Sequence, residues 1–166
     1  ISDYYKNNNS NIHRAVHALA EESTEAFEQT RDKVAEFLNI KNSQEIIFVK
    51  GTTEAINLVA NAWGRDNVKE GDIIVTTEYE HHSNIVPWQL LTQDKKAQLK
   101  YIDIDDNGEL MIDQLDEYLS TGKVKLVAFS HVSNVLGTIT PAKEIISKCK
   151  NVGVKTLIDG AQAVPH

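Results

Sequence analysis

Val124-Lys125-Leu126-Val127-Ala128-Phe129 and Val154-Lys155-Thr156-Leu157-Ile158 are two β-rich apolar runs, and the residues between them include a helical pattern over 141–151. Strand, helix and strand in that order predict a parallel pair joined by a crossover. The alternation continues outward toward the N-terminus. Ile46–Val49, Ile73–Val75 and Leu99–Ile104 read as further strands, and helical patterns lie near 53–64, 84–96 and 112–120. The expected fold is α/β, a mainly parallel sheet with helices on both faces. Asp105-Asp106-Asn107-Gly108 reads as a turn, with Asn and Gly suited to positive φ. Gly153 stands where a left-handed residue would close the preceding helix. Before the first run, Ile12, Val16, Leu19, Ser23, Phe27, Thr30, Val34 and Phe37 recur every three or four residues and predict one long helix over 12–39. Its opposite face, with Glu21, Glu22, Glu25, Glu28, Arg31 and Lys33, reads as solvated. Residues 1–11, rich in asparagine, read as a loop.

The chain has 166 residues, 41% hydrophobic and 25% charged, which marks a globular domain rather than a disordered one. That length suits a single domain. Its 24 Asp and Glu exceed its 17 Lys and Arg, for a net charge of −7. An acidic chain without a basic stripe is a poor partner for nucleic acid. No run approaches the roughly 20 apolar residues of a membrane span. The single cysteine, Cys149, excludes an internal disulfide framework and any multi-cysteine metal cluster. A reduced, cytoplasmic setting is expected, with no signal peptide. The start at Ile1 and the end at His166, just past a strand and a Gly turn, suggest a piece of a longer chain.

Ligands of open α/β sheets bind beyond the carboxyl ends of the strands, so the residues following each strand carry the functional reading. Lys50-Gly51-Thr52-Thr53-Glu54-Ala55 leads into a helix start with two hydroxyls. Unpaired first-turn N–H groups and the helix dipole suit a phosphate there. The Gly-Lys-Ser/Thr ending of a nucleotide P-loop is absent. Helix capping by Thr52 or Thr53 is the simpler alternative. Glu80-His81-His82-Ser83-Asn84 lacks the ligand spacing of a zinc site. Its histidines are either surface or capping residues, or one of them stacks on a planar ring. Ser130-His131-Val132-Ser133-Asn134 offers an amide. Asp159, at the end of an apolar run, is costly to bury unless a cation or several donors meet it. The competing role is a helix N-cap with Gln162 in the reciprocal position. Together these groups suit a flat, phosphorylated, protonated heteroaromatic ring, the chemistry of pyridoxal phosphate.

Four stretches resemble class V, fold-type I pyridoxal-phosphate enzymes: Gly51–Asn57, Glu80–Trp88, His131–Gly137 and Asp159–Ala163. They look most like SUF-type (group II) cysteine desulfurases, with selenocysteine lyases close by, and the Glu80–Trp88 run is specific to that subgroup. Residue by residue, the resemblance implies that Thr52 and Thr53 hold the cofactor phosphate and His81 stacks on the ring. It implies that Asn134 lies beside the ring oxygen and the substrate carboxylate. It further implies that Asp159 pairs with the ring nitrogen and that Gln162 reaches the ring oxygen. His81 and Asn134 are thus the catalytic candidates in this chain, and no metal is expected. His13 and Arg14 are expected near the active site of a partner subunit.

The resemblance also implies what lies elsewhere. The family's cofactor-linking lysine sits in a Ser-x-His-Lys-type motif downstream of Asp159-Gly160-Ala161-Gln162, and its persulfide-forming cysteine comes later still. Cys149, in the expected 141–151 helix beside Lys148 and Lys150, is read as structural. Residues 1–166 are therefore expected to be part of a cofactor-binding large domain, truncated at both ends and inactive alone. The parent would be a cytoplasmic homodimer that converts L-cysteine to L-alanine and an enzyme persulfide. It would pass sulfur to an acceptor protein for iron-sulfur cluster assembly. The alternatives are a selenocysteine lyase or other class V activity acting on L-selenocysteine or a related substrate, and a non-catalytic fragment that only self-associates.

Overall fold

A computed structural model describes residues 1–14 and 16–166. The chain divides into two compact units, Ile1–Phe48 and Val49–His166.

The first unit holds α1 (Ser2–Asn7), α2 (Ala18–Phe37) and a 3-10 turn, Ser43–Glu45. The expected loop over 1–11 thus contains a short helix, with Asp3 near its positive end and Lys6 near its negative end. The long helix is shorter than the expected 12–39. His13 adopts a left-handed φ of 57°, and His17 is extended at φ −150°, ψ 155° with its imidazole accepting from Ala20 N–H at 3.3 Å. His17 therefore caps α2 and keeps Ile12 and Val16 outside it; Ala15, within the expected span, lies outside the described residues. His13 donates its N–H to the Thr24 hydroxyl at 3.1 Å and pairs through Nε2 with Glu28 at 3.0 Å.

Ile46–Val49, expected as a strand, pairs with no other strand among the described residues. A side chain of α2 holds its first residue. The Arg31 guanidinium donates to the Ile46 carbonyl at 2.8 Å and stacks over Phe27 and Phe48, 5.3 and 5.8 Å from the ring centres.

The second unit carries the sheet. Helix α3 (Thr52–Val59) widens into a π-turn, Ala60–Gly64, and ends in one turn, α4 (Arg65–Asn67). Along it Asn57, Asn61 and Asn67 each donate to the carbonyl four residues back, a side-chain competition with the helical ladder. Then come β1 (Ile73–Thr77), a 3-10 turn His82–Asn84, α5 (Val86–Lys95), β2 (Gln98–Ile102), α6 (Asp113–Ser120), β3 (Val124–Ser130), α7 (Ala142–Asn151) and β4 (Lys155–Asp159). The strands pair in the order β2-β1-β3-β4, all parallel.

Central β1 is buried along its whole length, as β3 nearly is, while β2 and β4 at the edges are only partly covered. Successive side chains alternate between the faces. Ile73, Val75, Val127 and Phe129 pack with Leu115 and Leu119 of α6 and Ile145 and Cys149 of α7. Ile74, Leu126 and Ala128 pack on the other face with Ile56 of α3 and Trp88 and Leu91 of α5. Both faces are therefore covered, as expected for this strand pattern. Gly153 closes α7 at φ 72°, with Val154 N–H bonded to the Cys149 carbonyl at 2.9 Å. Asp105 braces the predicted turn by accepting from the N–H groups of Asn107 and Glu109, with Gly108 at φ 79°.

Cys149 is fully buried, and burial pushes its thiol up to about 11. Thiolate is the reactive form, so the folded chain holds almost none at neutral pH. A thiol reagent is expected to label Cys149 only as fast as the second unit opens. Rapid stoichiometric labelling of the native chain at pH 7 would contradict this packing.

Candidate cofactor site

The strand order reverses direction between β1 and β3, because β1 connects to β2 on one side while β3 starts the other. That switch point is where a crevice forms at the carboxyl ends of the strands. A cavity of about 180 Å³ lies there. Thr52, Thr53, His81, Asn134, Asp159 and Gln162 all line it, together with Ser83, Ser130, Val132 and Ala161. The six residues singled out from strand ends thus face one space, although they span 111 positions from Thr52 to Gln162.

Each comes from a distinct local structure. Gly51 precedes the first turn of α3, and neither Thr52 nor Thr53 caps the helix with its hydroxyl. The capping alternative therefore fails, because both threonines stand inside the helix. Glu54 instead reaches back to Lys50 N–H at 2.6 Å. No protein atom lies within 4 Å of the place a Gly51 Cβ would take, and its backbone is extended. The approach to the α3 N–H groups is open.

His81 follows β1 by four residues and begins the His82–Asn84 turn. Its Nδ1 accepts from Ser83 N–H at 3.2 Å and lies 2.8 Å from the Ser83 hydroxyl. Accepting at Nδ1 puts the proton of the neutral ring on Nε2. His81 does cap a turn, as the simpler reading expects, and the same bonds orient its ring at the cavity wall.

Asn134 rides on the loop after β3. Ser133 anchors that loop: its N–H bonds the Thr138 carbonyl at 3.0 Å, and its hydroxyl accepts from Val135 and Leu136 N–H. Gly137 supplies the positive φ, 74°, that lets the loop return. Thr140, at the end of the loop, lies 2.7 Å from the Tyr79 hydroxyl. Burial raises the Tyr79 phenol above its ordinary range, against a smaller opposing pull from Thr140, and Glu80 and Glu109 add to the rise. It stays a neutral bonding partner.

Asp159 ends β4 and is only 7% exposed. Its Oδ1 accepts from Ala161 N–H at 2.9 Å. Turns, not a helix, follow it, and Gln162 makes no reciprocal bond. The helix N-cap alternative is thereby corrected: Asp159 forms a local turn with one oxygen only. Among the described residues, no protein group bonds its other oxygen, the Asn134 and Gln162 amides, or the Thr52 and Thr53 hydroxyls. Five groups around one cavity keep unspent hydrogen-bonding capacity. His13 and Arg14, also expected near an active site, belong to the first unit.

Sequence reasoning passed over a second layer. Glu80, Ser130, Asn84 and Trp88 form a buried hydrogen-bonded cluster behind His81. The signal was present: Glu80 is a carboxylate just past a fully buried strand.

The comparisons agree with this architecture. The family model described as aminotransferase class-V matches residues 1–166. A cysteine desulfurase of Synechococcus elongatus is 54% identical over 166 residues, covering 100% of this chain and 26% of that protein. One from Enterobacter sp. is 48% identical over 164 residues, covering 99% of this chain and 40% of that protein. The apo structure of cysteine desulfurase from Thermococcus onnurineus superimposes with a TM-score of 0.92 at 39% identity, covering 99% of this chain and 40% of that one. The chain thus spans about a quarter to two fifths of the length of these relatives.

Proposed function

We propose, from the premise that this chain belongs to the aminotransferase class-V family, that its cavity is the pyridoxal-phosphate site of a cysteine desulfurase. One observation carries the reading: six residues from four chain segments surround one cavity, and five of them keep polar groups that no protein atom pairs among the described residues. The donor set fits the cofactor. Thr52, Thr53 and the α3 N–H groups suit a phosphate dianion at a positive helix end. Asp159, a buried carboxylate with one oxygen unpaired by protein, holds the proton of a ring nitrogen. His81, at the cavity wall, would lie against the ring. Asn134 and Gln162 donate to oxygens of the ring or of a substrate carboxylate. Bound there, pyridoxal phosphate supplies an electron sink for charge developing at the substrate α-carbon.

The substrate is L-cysteine, which leaves as L-alanine while its sulfur passes to a cysteine thiol of the whole protein. The cavity wall contains no lysine and no cysteine. These 166 residues are therefore part of a larger cofactor-binding domain and are inactive alone. By the same reading, the whole protein is a cytoplasmic homodimer that delivers sulfur to an acceptor protein for iron-sulfur cluster assembly. His13 and Arg14 act at the neighbouring subunit's site. Among the described residues, no helix is long and apolar enough to cross a membrane.

The test is alanine release from L-cysteine with added pyridoxal phosphate. The whole protein is expected to turn over, and the 166-residue chain is not. Release by the chain alone would refute its inactivity. A strong preference of the whole protein for L-selenocysteine would replace the substrate with that amino acid.

A further inference from the structure

Glu80 stands between the end of β1 and His81, and its side chain is buried. Four donors meet its carboxylate. Oε1 accepts from Ser130 N–H at 2.8 Å and from the Thr77 hydroxyl; Oε2 accepts from the Ser130 hydroxyl at 2.6 Å and the Asn84 amide at 2.7 Å. Asn84 is not free to turn, because its Oδ1 accepts from the fully buried Trp88 indole at 3.0 Å. A buried carboxylate is tolerated when donors saturate its lone pairs.

Thr77 belongs to β1, Ser130 to β3 and Asn84 to the turn that follows His81. The carboxylate therefore bridges the two strands that flank the crevice and grips the turn that orients the imidazole. We propose that Glu80 is a positioning residue. Its carboxylate locks the β1 end, the β3 end and the His82–Asn84 turn together, and so sets the pose of His81 and of the Ser130 side of the cavity. Glu80 does not itself line the cavity. The inference rests on the cofactor reading above for its functional consequence, but its geometric content is independent of any ligand.

The donor pattern dictates the test. In Glu80→Gln one oxygen becomes an amide NH2 and faces either Ser130 N–H or the Asn84 amide, neither of which can accept there. In the double variant E80Q/N84D the new amide at position 80 donates to the new carboxylate at position 84. The other oxygen of that carboxylate still accepts from Trp88, and the Ser130 hydroxyl rotates to accept. Nitrogen NMR of the ligand-free chain reads the His81 tautomer. The wild type is expected to hold the proton on Nε2, E80Q to show a mixture, and E80Q/N84D to return to the wild-type form.

Pyridoxal-phosphate affinity, followed by its absorbance, is expected to fall at least about tenfold in E80Q and to recover to within about threefold in the double variant. A wild-type tautomer and affinity in E80Q, or a folded double variant no better than the single one, would overturn the proposal. Should E80Q not fold, Thr77→Val removes one donor without changing side-chain shape. A partial tautomer shift supports the brace, and none overturns it. Failure of wild-type chain to bind pyridoxal phosphate would remove the cofactor reading, while the tautomer measurement would still decide the role of Glu80.

Discussion

An Asp159→Asn chain is expected to bind pyridoxal phosphate about a hundredfold more weakly than the wild type while unfolding at nearly the same denaturant concentration. The substitution separates the two jobs of this side chain. Its turn-forming bond, Oδ1 to Ala161 N–H at 2.9 Å, needs only an acceptor, which an amide oxygen provides. Its charge is another matter. Removing one partner of a buried ion pair costs about 3–5 kcal/mol because the other charge is left uncompensated, and every 1.4 kcal/mol is about tenfold in affinity. Asp159 is 7% exposed at the end of β4, so solvent does little to replace it. The cavity is open on one side, and the lower end of that range applies. Titration of the chain with pyridoxal phosphate checks the affinity, and urea unfolding checks the fold. Equal affinity in the two proteins would reduce Asp159 to a turn residue. Lost affinity together with lost stability would mean that the amide failed to keep the turn.

Phe129→Ala is expected to destabilise the second unit by about 3–5 kcal/mol, the usual cost of deleting a buried aromatic side chain and leaving a cavity. Phe129 is fully buried on central β3, in the layer that also holds Val127, Leu115 and Ile145. Domains of this kind are stable by only about 5–15 kcal/mol, so the loss is a large share of the total. With a urea dependence of about 1–3 kcal/mol per molar, the unfolding midpoint moves down by about 1 M or more. Phe129 also precedes Ser130, whose N–H and hydroxyl hold Glu80, so the folded variant is expected to bind cofactor more weakly as well. A midpoint change below a few tenths molar would show that β3 is not the centre of the core.

The legible parts of this protein were those in which a short stretch carries its own cause. The strands at Ile73–Thr77 and Val124–Ser130 come from apolar runs that only a sheet covered on both faces can bury. Gly153 and Gly108 close a helix and a turn because the backbone there needs positive φ. The misses came where a distant group intervened. Ile46–Val49 has strand-like residues, yet no other strand among the described residues pairs with it, and the Arg31 guanidinium, fifteen positions before Ile46, holds its first carbonyl. The apolar spacing of Ile12 and Val16 extends the α2 pattern, yet His17 caps the helix after them. Glu80 went unnoticed because its partners Thr77, Asn84 and Ser130 lie on three elements, and only their assembly shows that all four donors point at it.

By itself the sequence determined the α/β class with a mainly parallel sheet and the polar stretches that follow its strands, from periodicity, turn chemistry and the rule that such sheets bind ligands at their carboxyl edge. The resemblance to class V enzymes singled out the six residues within those stretches. Tertiary structure alone decided that the six share one cavity, that Thr52, Thr53, Asn134 and Gln162 meet no hydrogen-bond partner for their side chains among the described residues, and that Asp159 spends one oxygen on a turn and not on a helix. The physical reason is that hydrogen-bond satisfaction belongs to pairs. A residue type states what a group can accept or donate, and only packing states whether the protein has already supplied its partner.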